Sequence, residues 1–223
     1  MLRTVSTRAM AFVLAITVLS VVAGCSTPSA GSAAKGATDG ARTASSSASA
    51  DTSPVPAAGG GLHTSAYKVT GKERVKVVTN RGTFTIELFP KDAPNTVATF
   101  LELAKKKFYD GIKFHRVEPG FVVQAGDPQT KDPAADPASY GTGDPGFKLK
   151  AEFNDRKHLT GTVAMARAED PDSAGSQFYI TLAPQPSLDG QYTVFGQVVS
   201  GMDVVNAIKV GDTITSMTIV PAP

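Results

Sequence analysis

The chain has 223 residues, of which 41% are hydrophobic and 19% charged, enough apolar material for a packed core and too much for a wholly disordered chain. Its single cysteine excludes an internal disulfide framework and any cysteine-based zinc cluster. Lysine and arginine (22) barely outnumber aspartate and glutamate (20), and a net charge of +2 is far from the strongly basic face that nucleic-acid binding requires.

Three stretches follow in chain order: 1–24, 25–66 and 67–223. Arg3 and Arg8 form a basic start, and residues 11–22 form an apolar run shorter than the about 20 residues of a comfortable membrane span. Val22-Ala23-Gly24-Cys25 then sets small residues before the only cysteine. This resembles the lipobox of bacterial lipoproteins, which implies cleavage after Gly24 and a lipid on Cys25. The alternative is an ordinary secretory signal with an incidental cysteine. A lipidated Cys25 implies a protein held on the extracytoplasmic face of the cell membrane, since two or more acyl chains anchor stably. Cleavage also removes Arg3 and Arg8 and leaves the mature chain near neutrality.

Residues 26–66 are mostly Ser, Ala, Gly, Thr and Pro, with too little apolar surface to offset the entropy of ordering. They read as a flexible tether with a reach of roughly 35 Å, in which His63 is expected to be solvated.

In 67–223, residues 73–80 (ERVKVVTN) and 82–89 (GTFTIELF) alternate apolar and polar around a turn, and predict a β-hairpin. Asn95 is a candidate N-cap for a helix to about Lys107, with Val97, Phe100, Leu101 and Ala104 on one face. Short strands are expected at 113–117, 122–124, 149–152, 161–166, 177–182 and 194–199. A short helix at 202–208 and a last strand near 214–219 complete the chain. Many short strands and only two helices indicate a mainly β fold, a closed antiparallel barrel rather than βαβ units.

Several apparent signals carry no chemistry. Residues 141–146 (GTGDPG) match GxGxxG, but Pro145 and a strand-like FKLKAEF follow where a dinucleotide loop needs a helix. Glu169-Asp170-Pro171-Asp172 lacks the spacing of a calcium loop, and Ser173 and Ser176 lie outside any GxSxG elbow. Three histidines, His63, His115 and His158, offer little to a hydrolytic triad or a metal site.

Residues 114–127, FHRVEPGFVVQAGD, are different. Alternate strand residues share a face, so a guanidinium (Arg116), an amide (Gln124) and a ring (Phe121) are expected together across a Pro119-Gly120 turn. His115 faces the other way and reads as structural. A plain core hairpin with one surface arginine is the alternative.

This segment resembles the FHR-V-x-PGF-x-x-QGGD signature of the cyclophilins, the cyclosporin-binding class of peptidyl-prolyl isomerases. The likeness continues through GTVAMARA (161–168), SAGSQFYI (173–180), LDGQYTVFGQV (188–198) and GMDVV (201–205). It implies an eight-stranded antiparallel closed barrel capped by two α-helices, acting on proline-containing peptides and unfolded exported proteins as a monomer. It implies no metal, nucleophile or cofactor. By resemblance Arg116 is the catalytic donor, assisted by Phe121 and Gln124. Val122, Tyr179, Leu188 and Tyr192 hold the substrate's proline region, and Ala166, Arg167 and Gln177 line an adjoining groove. Val122, Leu188 and Tyr179 also fit a plain core. Many members have Met at the position of Val122, Trp at Ser187, His at Tyr192 and Phe at Tyr179. The absent indole implies weak cyclosporin binding. A proline-motif-binding or holdase chaperone with incidental catalysis, or an envelope interaction protein, are the rival readings.

Overall fold

The computed structural model describes residues 61–222; the apolar start, Cys25 and most of the tether lie outside them. The expected hairpin is β1 (Glu73–Thr79) and β2 (Gly82–Leu88), with Val75, Val77, Phe84 and Ile86 facing inward at zero exposure. After α1 (Pro94–Lys105) come β3 (Arg116–Glu118), β4 (Val122–Ala125), β5 (Thr162–Met165) and β6 (Phe178–Thr181). Then follow β7 (Val194–Ser200), α2 (Met202–Ala207) and β8 (Ile214–Pro221). All pair antiparallel in one sheet of eight, in the order β3-β4-β6-β5-β7-β2-β1-β8.

The barrel does not close by a ladder between β3 and β8. Backbone bonds between 111–114 and 211–214 join the ends instead, among them Phe114 N–H to Asp212 O at 2.8 Å and Ile214 N–H to Ile112 O at 2.8 Å. That use of the backbone shortens the strand expected at 113–117 to Arg116–Glu118, with Lys113 left in a single bridge to Thr213. Nor is 149–152 a strand. Leu149 makes one bridge to Ala174, and the next N–H groups turn to side chains: Ala151 to Asp172 and Glu152 to Thr193.

The interior is aromatic. Phe100 of α1 lies 4.9 Å from Phe195, 5.1 Å from Tyr109 and 5.6 Å from Phe178, ring centre to ring centre. β5 and β6 are buried on both faces. Val163, Met165, Phe178 and Ile180 point into the barrel, while Ala164 and Tyr179 point outward into a second cluster with Val122 and Val194. An outward face becomes apolar only where something covers it, and this cluster is the floor of the site described below.

Two expectations around α1 are corrected. The helix begins two residues earlier than a cap at Asn95 implies, at Pro94, whose fixed φ and missing N–H suit a first helical position. Asn95 is therefore inside the helix. Its own N–H and that of Thr96 donate to the Glu152 carboxylate at 2.9 and 2.8 Å, a cap supplied from 57 residues away. The Asn95 side chain serves another purpose: it donates to His63 O and accepts from Ser65 N–H. His63 is half-buried rather than free in solvent. Its ring stacks on Phe147 at 4.1 Å, its N–H donates to Lys148 O, and Ser65 Oγ donates to Glu102 at 2.6 Å. Composition missed this because the apolar partner, Phe147, lies far along the chain.

Candidate active site

The turn at Pro119-Gly120 folds β3 back on β4 and sets Arg116 opposite Gln124, a register symmetric about Gly120. Gly120 has φ of 73°, which a side chain would strain. The next pairings put Gln124 opposite Tyr179 and Tyr179 opposite Ala164. Four strands thus present Arg116, Gln124, Tyr179 and Ala164 as one row across the outer face. A one-residue slip would turn every one of them to the opposite face.

Beside this row is a pocket of about 160 Å³. Val122, Tyr179 and Ala166 lie at its floor, and Phe121, Leu188 and Tyr192 at its walls. Arg116, Gln124 and Arg167 stand at its rim. These are nine of the ten residues singled out from sequence. The tenth, Gln177, lines a larger cleft of about 410 Å³ that shares Gln124, Ala166 and Arg167 with the pocket. Val122 and Tyr179 are 2% and 5% exposed, so the core reading and the site reading describe the same atoms. They belong to the outward cluster, not to the barrel interior.

The Arg116 side chain is 45% exposed. Its Nε donates to Glu118 Oε1 at 2.8 Å, Nη2 lies 2.7 Å from the same oxygen, and Nη1 donates to Gln124 Oε1 at 3.4 Å. A guanidinium has five N–H donors, so donors remain for a ligand in the pocket. Phe121 lies 5.7 Å beneath the cation. Arg167 is differently placed. Its guanidinium is taken by the carbonyls of Gln191, Ala168 and Glu169 and lies over Tyr192 at 4.9 Å. The Ala166 N–H is likewise used, by Gln177 O.

The Tyr179 hydroxyl turns away from the pocket and meets His158 Nε2 at 2.9 Å, while His158 Nδ1 meets Asp189 Oδ1 at 3.1 Å. Burial pushes the Tyr179 hydroxyl well above the ordinary tyrosine range, so it stays protonated. Burial likewise lowers the pKa of His115, against the raising effect of Asp127, and holds it neutral near pH 7.

A sequence model of the family described as cyclophilin type peptidyl-prolyl cis-trans isomerase/CLD matches residues 74–221. The chain belongs to the cyclophilins. Its activity is peptidyl-prolyl cis-trans isomerisation. A peptidyl-prolyl cis-trans isomerase of Synechococcus elongatus is 46% identical over 144 residues, covering 64% of this chain and 92% of the relative. Peptidyl-prolyl cis-trans isomerase B of Bacillus subtilis is 46% identical over 128 residues, 56% of this chain and 82% of the relative. A crystal structure of a cyclophilin type isomerase from Cryptosporidium parvum, determined in the presence of the dipeptide Ala-Pro, superposes with a TM-score of 0.59 at 29% identity. It covers 66% of this chain and 98% of that one.

Sequence reasoning missed several residues of this cyclophilin's site. Glu118 was findable, two positions from Arg116 on the same strand face. Residues 141–144, which do not make a dinucleotide loop, form a wall of the larger cleft. His158 carried no signal, and Asp189 lay inside the LDGQYTVFGQV motif without any sign that it meets His158 behind Tyr179.

Proposed function

We propose that Arg116 is the catalytic donor and that the pocket beside it holds the proline ring of an X-Pro substrate. Isomerisation must pass through a twisted amide, with a barrier of about 18–20 kcal/mol. On twisting, the nitrogen loses conjugation and its lone pair localises. A fixed N–H donor aimed at that nitrogen interacts with the twisted state far better than with the planar one, which is what lowers the barrier. The observation that carries this reading is a guanidinium clamped by Glu118 and Gln124 at the rim of a small pocket floored by Val122 and Tyr179, with donors to spare.

Phe121, Val122, Leu188 and Tyr192 exclude water from the ring, and Tyr179 supplies a flat floor. The larger cleft, with Ala166, Arg167 and Gln177 on its wall, takes the residues that precede the proline. Proline-containing segments of exported, unfolded proteins are the clients, met at the outer face of the membrane by a monomeric domain tethered through a lipid on Cys25. Val22-Ala23-Gly24-Cys25 and the Ser/Ala/Gly-rich run behind it support that placement, and an intact mass of the mature chain tests it.

A protease-coupled assay on a proline peptide tests the mechanism. Arg116→Ala is expected to lower kcat/KM about 100-fold, the scale of losing one preorganised donor. The melting temperature should stay within about a degree, because an exposed ion pair contributes little to stability. Wild-type turnover at the uncatalysed rate, or full activity in Arg116→Ala, overturns the assignment.

A further inference from the structure

The amide of Gln124 is useful to Arg116 only in one orientation. Its oxygen must face the guanidinium; turned over, it would set an NH2 donor against a cation. Gln124 alone has no preference, so the choice is made elsewhere. Gln124 Nε2 donates to Gln177 Oε1 at 3.0 Å. Gln177 Nε2 donates to Gly141 O at 2.9 Å and Gly143 O at 2.8 Å. Carbonyl oxygens only accept, so this end of the chain has one possible polarity. Two carbonyls demand the NH2 of Gln177, which turns its oxygen to Gln124 and the oxygen of Gln124 to Arg116.

Those carbonyls are in place because of Asp127. It has no exposed surface, and one carboxylate oxygen accepts from Gly141 N–H at 2.5 Å and Gly143 N–H at 3.2 Å. The other accepts from Gln129 N–H at 2.8 Å. A side chain on Gly143 would overlap that carboxylate. Gly126, next to Asp127, has φ of 102° and passes so close to the 176–177 backbone that an added Cβ would lie 2.7 Å from Gln177 Cα. The chain is therefore short and closely packed from the carboxylate to the guanidinium.

We infer that Asp127 is a positioning residue for catalysis, acting on Arg116 through Gly141 and Gly143, then Gln177, then Gln124. The inference rests on Arg116 as the catalytic donor. A carboxylate suits the role because it only accepts, and the 141–143 segment offers it two N–H donors. An asparagine must set its NH2 against those donors or against Gln129 N–H. The first choice releases the carbonyls that orient Gln177, and the second breaks the cap of the 128–131 turn that holds the side chain in place.

A double-mutant cycle tests the relay. Asp127→Asn is expected to lower kcat fivefold to tenfold with KM within twofold. In a Gln177→Met background, where the relay is already cut, the same substitution should change kcat less than twofold. Equal losses in both backgrounds, or a lower melting temperature with kcat unchanged, overturn the inference. Should Asp127→Asn not fold, Gln177→Glu carries the same expectation. It keeps the acceptor for Gln124 and sets a carboxylate against two carbonyls, so an unchanged kcat overturns the relay. In the wild-type protein both side-chain amide protons of Gln177 should exchange slowly by NMR, and rapid exchange counts against the relay whatever the variants do. Full activity in Arg116→Ala would sink the underlying mechanism instead, which keeps the two failures apart.

Discussion

Tyr179 works with both ends of its side chain. The ring lies under the pocket, and the hydroxyl meets a histidine that is 1% exposed. Asp189 also accepts from the His158 N–H and lies 3.4 Å from Lys157 Nζ. Hydrogen bonds from His158 hold its pKa below the ordinary carboxylate value, so it is an acceptor at neutral pH. An acceptor at Nδ1 places the proton there and leaves Nε2 to accept from the Tyr179 hydroxyl. Tyr179→Phe keeps the ring and strands Nε2 in a buried site. The expected result is a loss of about 1–3 kcal/mol in urea unfolding with kcat/KM within about twofold of wild type. A tenfold fall in kcat/KM without any loss of stability would show that the hydroxyl serves the reaction instead. The position also shows what the sequence held. Tyr179 was legible as a site residue through its motif, but its hydrogen-bond partners were not, because residues 158 and 189 meet it only in the folded chain.

At the scale of elements, strand alternation and the Pro119-Gly120 turn were readable, and they suffice to set Arg116 opposite Gln124. What alternation does not reveal is how an element ends when its terminus is satisfied from a distance. Asn95 was the expected cap by residue type, yet the helix takes the Glu152 carboxylate and uses the Asn95 amide to hold residues 63 and 65. Glu152 lies on the segment expected as a strand, and its engagement with α1 is part of why that segment forms no ladder beyond the single bridge at Leu149. Glu152→Ala leaves two N–H groups of the first turn without their acceptor. The expected cost is about 1 kcal/mol, or a fall of about 2–4 °C in melting temperature for a domain of this size. Calorimetry would read it. Turnover at 25 °C should be unchanged, since Glu152 does not line the pocket, and a loss of activity would mean that the 149–154 segment shapes the site.

For the molecule as a whole, the barrel seam is one place where stability depends on pH. An edge-to-edge gap between β3 and β8 is bridged by 111–114 and 211–214, and Asp212 is the polar centre of that bridge. Its side chain is 6% exposed. It accepts from Asn80 Nδ2, Arg81 Nε and Lys209 N–H, each at 2.7 Å, tying the β1–β2 turn to the segment before β8. Burial alone would raise its pKa, but these hydrogen bonds, with Arg81 leading them, bring it down to about 2 from an ordinary 3.8. A carboxyl with a lower pKa in the folded state stabilises the fold at every pH above its unfolded value. That contribution is lost as pH falls from about 4 to about 2. Arg81 is partly exposed, and solvent screening reduces the effect to about 1–2 kcal/mol. Asp212→Asn should therefore be less stable than wild type at pH 7, and the two unfolding curves should converge as the pH is lowered to about 2. A gap that persists unchanged at pH 2 would assign the cost of the substitution to packing at the seam rather than to the ionised carboxylate.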